Sequence, residues 1–143
     1  MKAQVLLFCF SDPARLSAVR KALLPLHIPC RVVPEEDWTA PLEALAGLET
    51  DAPAAEDAAA LTGEMLVMCG LTEGGIQAVV LALRKAGVYV PYKAVLTPYN
   101  KDWSAAALFA ELYREHQTIL AQRQSAHAQN AAKTEESSPE GDA

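Results

Sequence analysis

Residues 88–104 read Val-Tyr-Val-Pro-Tyr-Lys-Ala-Val-Leu-Thr-Pro-Tyr-Asn-Lys-Asp-Trp-Ser. The middle of this stretch, residues 90–96, has the apolar and β-branched composition of a strand. Thr-Pro-Tyr-Asn at 97–100 is typical of a tight turn, because proline and asparagine favour turn conformations. Asp-Trp-Ser at 102–104 then predicts the start of a long helix. The stretch therefore predicts a strand, a turn and a helix in succession.

A plainer copy of the same passage occurs earlier, as Ile-Pro-Cys-Arg-Val-Val and then Asp-Trp-Thr within residues 28–39. The two strands match at an offset of 62 residues, and the two Asp-Trp pairs match at an offset of 65. Upstream, an offset of 60 aligns Cys9 with Cys69, and the predicted helix N-cap Asp12 with Thr72. Because prolines, tryptophans and caps all recur in step, the pattern predicts an internal duplication.

Each copy contains a strand, a helix, a second strand and a second helix. The first strands, residues 5–10 and 65–69, are apolar runs without polar alternation, which is typical of strands buried on both faces. We therefore predict an α/β fold, in which the duplicated βαβα unit forms one four-stranded sheet with helices on both faces, in three layers. Strict alternation favours parallel strands, and a ferredoxin-like α+β sandwich with an antiparallel sheet is the alternative. In both, strands one and three are central.

The predicted domain organisation is a single domain over residues 1–127. It comprises a first repeat at 1–48, an acidic, alanine-rich linker at 49–63 and a second repeat at 64–127. Residues 128–143 are predicted to be a disordered acidic tail, because they are polar and carry few apolar side chains.

Charge and composition exclude several classes of protein. The net charge of −6 comes mainly from residues 48–63 and 128–143, so the predicted folded parts are nearly neutral and nucleic-acid binding is not indicated. No apolar run approaches membrane-spanning length, and we expect no membrane association. The three cysteines form no Cys-x-x-Cys pair, which favours reduced thiols and a cytoplasmic location.

The carboxyl ends of strands three and four are expected to share one edge of the sheet, and this edge offers a candidate ligand site. Glycines after a helix N-cap leave backbone N–H groups that bind small anions, and nearby hydroxyl, amide and ammonium groups add to such a site. The candidate binding residues are Thr72, Gly74, Gly75, Lys93, Thr97 and Asn100. The alternative interpretation is that they are caps and turn residues.

We predict no catalytic residue, metal ligand or cofactor, and we leave open whether the protein is an enzyme. Cys9 and Cys69 have no base or cation beside them in sequence to lower their pKa, and the histidines make no ligand spacing with the cysteines. Trp38 and Trp103 stand at matched helix starts and are interpreted as packing anchors.

Residues 65–116 resemble the small bacterial proteins of domain-of-unknown-function family 3783. The resemblance rests on Pro-x-Lys-Ala-Val-Leu-Thr-Pro-x-Asn, from Pro91 to Asn100, followed by Trp103. It implies a bacterial cytosolic protein and brings no catalytic residue.

Two functional hypotheses follow. The first is a non-enzymatic interaction or regulatory module that forms a homodimer or binds a protein partner. The alternative is a protein that binds a small anion or nucleotide at the edge described above.

Overall fold

The computed structural model describes residues 2–50, 52–54 and 61–136. Its strands are β1 (Gln4–Phe8), β2 (Cys30–Val32), β3 (Met65–Cys69) and β4 (Tyr92–Val95). Its helices are α1 (Pro13–Leu23), α2 (Leu42–Leu45), α3 (Glu73–Lys85) and α4 (Ala105–Glu136). Short 3-10 helices span Leu24–Leu26 and Glu35–Asp37. The elements alternate in the order that the sequence predicts.

The chain divides into two compact units, Met1–Ala110 and Glu111–Ala143. Where the sequence predicts a tail from residue 128, α4 continues to Glu136, and residues 137–143 lie outside the described part. Residues 51 and 55–60 of the predicted linker also lie outside it. The predicted division into repeats, linker and tail stays a prediction.

The four strands form one mixed sheet in the order β2-β1-β3-β4. Strands β1 and β2 are parallel, β3 and β4 are parallel, and the central pair β1–β3 is antiparallel. The predicted α/β class and the central positions of strands one and three are confirmed. Neither predicted set of strand directions is correct. Each helical crossover makes its own strand pair parallel, whereas the connection between the halves brings β3 back in the opposite direction.

The register between β1 and β3 changes the sequence offset that best matches these two strands. Gln4 pairs with Cys69 and Phe8 with Met65, so the register is centred on Leu6 opposite Val67. Strands β1 and β3 are offset by 61 residues, whereas the N-caps Asp12 and Thr72 keep the predicted offset of 60. The difference matters because a slip of one residue moves every side chain to the other face of a sheet. Phe8, and not Cys9, therefore holds in β1 the last strand position that Cys69 holds in β3.

One face of the sheet is covered by α1 and α3. Side chains from both central strands and both helices form one apolar cluster, which includes Val5, Leu7, Leu66, Met68, Val19, Leu23, Val79 and Leu83. The alternate residues of the central strands point to the opposite face and are equally buried; they are Leu6, Phe8, Met65, Val67 and Cys69. The strands are thus buried on both faces, as their continuous apolar sequence predicts.

The segments around the two tryptophans exchange backbone hydrogen bonds. The amide of Ala106 donates to the carbonyl of Trp38 (3.4 Å), and the amide of Leu42 donates to the carbonyl of Trp103 (2.8 Å). Between these bonds, Pro41 and Ser104 form an isolated antiparallel bridge. The starts of α2 and α4 are therefore tied together across the two halves.

The caps of these two helices differ from the prediction. The sequence predicts a helix start at Trp38, but a 3-10 helix ends at Asp37 just before it, and α2 begins only after Pro41. Proline is tolerated at this N-cap, because a φ of −60° suits the entry and the first N–H groups of a helix have no partner within the helix. Helix α4 begins at Ala105, where the Ser104 hydroxyl accepts from the amide of Ala107 (3.1 Å), and not at Trp103.

Cys9 follows β1 with a φ of +66°, and Gly70 follows β3 with a φ of +68°. Left-handed backbone costs an L-residue with a side chain about 1 kcal/mol relative to glycine. We expect Cys9→Gly to be more stable than Cys9→Ala by about 1 kcal/mol, the reverse of the usual order in regular structure. Urea unfolding of both variants measures this difference. Equal stabilities, or a more stable alanine variant, would contradict the left-handed conformation at this position.

Candidate functional site

The N-terminus of α3 contains three of the predicted ligand residues. Thr72 is the N-cap, and its hydroxyl accepts a hydrogen bond from the amide of Gly75 (3.0 Å). That amide is therefore already occupied by the cap. A Cβ at Gly74 would meet only the Thr72 hydroxyl, at 4.0 Å, so Gly74 is not required by close packing.

The turn after β4 contains two more, Thr97 and Asn100. The Asn100 side chain accepts from the amide of Thr97 (2.9 Å) and donates to the carbonyl of Val95 (3.1 Å). The Thr97 hydroxyl accepts from the amides of Tyr99 and Asn100. Asn100 is buried, with 8% of its surface exposed. Its side-chain amide thus pairs with a backbone N–H and a backbone C=O at the end of β4, as the backbone of a neighbouring strand would.

The sixth residue, Lys93, lies elsewhere. It is the second residue of β4, opposite Leu66, and its ammonium donates to the carbonyl of Val90 (2.6 Å). Burial, and then the charge of Arg84, lower the pKa of Lys93. Lys93 therefore belongs to the end of β4 that adjoins the C-terminus of α3, away from the predicted edge.

The structure brings Thr72 together with Gly75, and Thr97 together with Asn100. Within residues 61–123, no hydrogen bond joins the first pair to the second. The anion site at this edge stays a prediction, and the observed contacts are those of a helix cap and a stabilised turn.

Sequence reasoning missed the most exposed aromatic group of this region. Tyr99 is 78% exposed, and its ring lies 5.3 Å from the ring of Trp103, between centroids. The signal in the sequence was the pair of aromatic residues four positions apart across a turn that ends in an asparagine. The sequence predicts only a packing role for Trp103.

An ion pair connects the same turn to α2. Lys101 donates to the carboxylate of Glu43 (3.2 Å), and Glu43 is buried although Lys101 is half exposed. The pKa of Glu43 is lowered, first by a hydrogen bond from the Thr50 side chain and also by Lys101. The amide of Glu43 further donates to the carbonyl of Lys101 (2.8 Å). These contacts fix the turn to the body of the first unit.

The three thiols are free and have raised pKa values. Burial is the main cause in each case, and it raises the pKa of Cys69 to about 11. The charges of Glu64 and Glu35 add to the effect at Cys9. Since β1 and β3 are antiparallel, Cys9, just after β1, and Cys69, the last residue of β3, lie at opposite ends of the central pair. None of the three has the lowered pKa of a nucleophilic thiol.

We expect Cys69 to resist alkylation in the folded protein. A thiol with a pKa of about 11 is only about one thousandth ionised at pH 8, and its side chain is fully buried. Mass spectrometry after iodoacetamide treatment, with and without urea, measures the rate at each cysteine. We expect modification of Cys69 to be at least about tenfold slower in the folded state. Equal rates with and without urea would contradict this environment.

The described residues contain no group of three or more histidine, cysteine, aspartate or glutamate side chains placed to hold a metal ion. In the same part of the chain, no helix combines the length and apolarity that a membrane crossing needs.

The fold defines the class as a four-stranded, mixed α/β sheet protein. Residues 64–119 match the sequence profile of the family described as "Domain of unknown function (DUF3783)". This match confirms the resemblance inferred from the Pro91–Asn100 motif, and it includes the turn that presents Tyr99. Neither the curated proteins nor the solved structures contain a match to this chain.

Proposed function

We propose that this chain is a non-enzymatic interaction module, which binds a partner protein through the turn at residues 97–103. The observation that carries the proposal is the exposure of Tyr99 on a turn that is otherwise held by hydrogen bonds. Tyrosine and tryptophan are enriched among the residues that dominate binding energy in protein interfaces. Here the Tyr99 ring packs against Trp103 and offers its other surface to the outside.

The turn is preorganised, which lowers the entropic cost of binding. Asn100 ties Thr97 to the end of β4, and Lys101 ties the other side of the turn to Glu43. Because these contacts already restrict the backbone, a partner needs to order little more than the Tyr99 side chain.

The partner that fits this surface is a protein with an apolar pocket for the phenol ring and polar groups around its rim. The centre of the turn is aromatic, and the Lys101 charge beside it is already paired with Glu43. A second copy of this chain is one such protein, so a homodimer falls within the proposal. We further propose a bacterial, cytoplasmic setting, which the free thiols and the family resemblance support.

Site-specific photo-crosslinking in cells that naturally express the chain tests the proposal. A photoreactive phenylalanine analogue replaces Tyr99 in one strain and Leu24 in another, because Leu24 is comparably exposed (72%) on α1's C-terminal side. We expect a discrete protein crosslink from position 99 and none of the same mass from position 24. A chain that crosslinks to nothing at position 99 would overturn the proposal.

Purified components then decide whether the crosslink reports specific binding. Tyr99→Ser is expected to weaken binding of the crosslinked protein by about 30-fold or more, which corresponds to the 2 kcal/mol or more lost at a dominant interface residue. Leu24→Ser serves as the matched control and is expected to leave binding unchanged. Equal affinities for the wild type and Tyr99→Ser, with both folded, would refute a role for the turn.

A further inference from the structure

A separate cleft lies where α3 ends and β4 begins. Its volume is about 430 Å³, within the range of small-molecule sites. Val80, Leu83 and Val88 supply apolar lining, and Arg84, Tyr89 and Lys93 supply polar or aromatic groups. Lys93 reaches it from β4 and the others from α3 and the segment that follows, so two elements of the first unit build the cleft.

The cleft carries an unbalanced positive charge. Among the described residues that line it, Arg84 and Lys93 are cationic and none is acidic. The Lys93 ammonium uses one proton in its bond to the Val90 carbonyl, which leaves donors for a ligand. The lowered pKa of Lys93, caused by burial and by Arg84, agrees with two like charges held close together. An anion placed between them would relieve this repulsion.

Some of the carbonyls at the end of α3 that could oppose that charge are already engaged in hydrogen bonds. Helix C-termini normally present free carbonyls with partial negative charge. Here the amides of Ala86, Gly87 and Val88 bond to the carbonyls of Ala82, Arg84 and Leu83, respectively, with distances of 2.9 to 3.1 Å. Gly87 makes this closure possible with a φ of +72°.

Tyr89 forms the aromatic side of the cleft, and its backbone is held by a hydrogen bond. The Tyr89 ring lies 5.6 Å from the Lys93 ammonium, measured to the ring centroid, and is 66% exposed. Arg15 of α1 donates to the Tyr89 carbonyl (2.6 Å) and is itself paired with Glu64 (2.7 Å). Because Arg15 is neutralised by Glu64, it orients Tyr89 without competing for an anion.

We propose that this cleft binds a small organic carboxylate with an apolar or aromatic body. The carboxylate bridges the Arg84 guanidinium and the Lys93 ammonium, since a guanidinium matches the geometry of a carboxylate. The apolar body packs against Val80, Leu83 and Val88, beside the Tyr89 ring. This site is independent of the partner-binding turn, which lies at the opposite end of β4.

Isothermal titration calorimetry at low salt tests the site with 3-phenylpropionate, indole-3-acetate and octanoate as probes. The neutral 3-phenylpropionamide and inorganic phosphate test the charge and the apolar body separately. We expect saturable binding of at least one carboxylate, and binding of the amide and of phosphate at least about tenfold weaker. If none of the three carboxylates binds at about 10 mM, or if the amide binds equally well, the proposal is overturned.

Variants locate the binding. Lys93→Gln and Arg84→Gln are each expected to weaken binding of the carboxylate by about tenfold or more, because each removes a charged hydrogen-bond donor to the ligand. Lys93→Arg keeps the charge and is expected to bind within about threefold of the wild type.

Lys85→Gln is the matched control, since Lys85 lies on α3 outside the cleft lining. Circular dichroism confirms folding. An equal loss in Lys85→Gln, or none in Lys93→Gln, places the carboxylate elsewhere and refutes the site.

Discussion

Replacing Phe8 by alanine is expected to lower the free energy of unfolding by about 3–5 kcal/mol. Phe8 is fully buried at the end of β1, opposite Met65, and is among the largest fully buried side chains. Its loss removes apolar contacts and leaves a cavity that a central strand with neighbours on both sides cannot close. A domain is typically stable by only about 5–15 kcal/mol, so this variant is expected to be marginal at 37 °C.

Urea unfolding followed by circular dichroism measures the Phe8 effect. Phe8→Leu keeps most of the buried volume and is expected to cost clearly less than Phe8→Ala. Leu24→Ala, at an exposed position, is expected to change stability by no more than about 0.5 kcal/mol. A loss below about 1.5 kcal/mol in Phe8→Ala would show that this face of the sheet is not tightly covered.

The second large effect is expected from Asn100→Ala, with a loss of about 2–3 kcal/mol. The substitution leaves the Val95 carbonyl and the Thr97 amide without the side chain that now binds them. Both backbone groups lie at the outer edge of β4, beside a buried Asn100. Unpaired polar groups near a core cost more than the net value of the hydrogen bond itself.

Asn100→Asp separates the two hydrogen bonds. An ionised carboxylate still accepts from the Thr97 amide but cannot donate to the Val95 carbonyl, and it repels that oxygen. Protonation restores a donor, so the folded state raises the pKa of the new carboxyl group. The stability of Asn100→Asp relative to the wild type should therefore improve as the pH falls through that raised pKa. Asn100→Ala should show no such dependence, and parallel pH profiles of the two variants would contradict the assigned bonds.

Local signals in the sequence identified most of the elements of this fold. Asp12 and Thr72 are N-caps as predicted, because a cap depends only on a polar side chain followed by a helical pattern. The continuous apolar runs correctly placed β1 and β3 at the centre of the sheet. The direction of β1 relative to β3 had no such signal, since it depends on how the long connection between β2 and β3 returns the chain.

The site was less predictable than the fold. Lys93 was predicted to add positive charge at the carboxyl edge, but it lies four residues before Thr97, and a strand separates residues by about 3.3 Å each. Over the length of β4, that distance carries Lys93 to the opposite end of the sheet. Nothing in the sequence pointed to Arg84, because its proximity to Lys93 arises from the antiparallel course of α3 and β4 and not from sequence spacing.

The antiparallel pairing of β1 with β3 determines whether either half of the chain could fold alone. A fragment of residues 61–110 would keep α3 and β4 but leave one long side of β3 without a neighbour, although all five of its side chains are buried here. An uncovered apolar edge of this kind readily recruits another strand. Because the register is centred on Val67, a second copy of the fragment could take the place of β1, with Leu66 opposite Met68. The amino-terminal half thus supplies the neighbouring strand for β3 within one chain, whereas the isolated fragment would have to obtain that strand by dimerising.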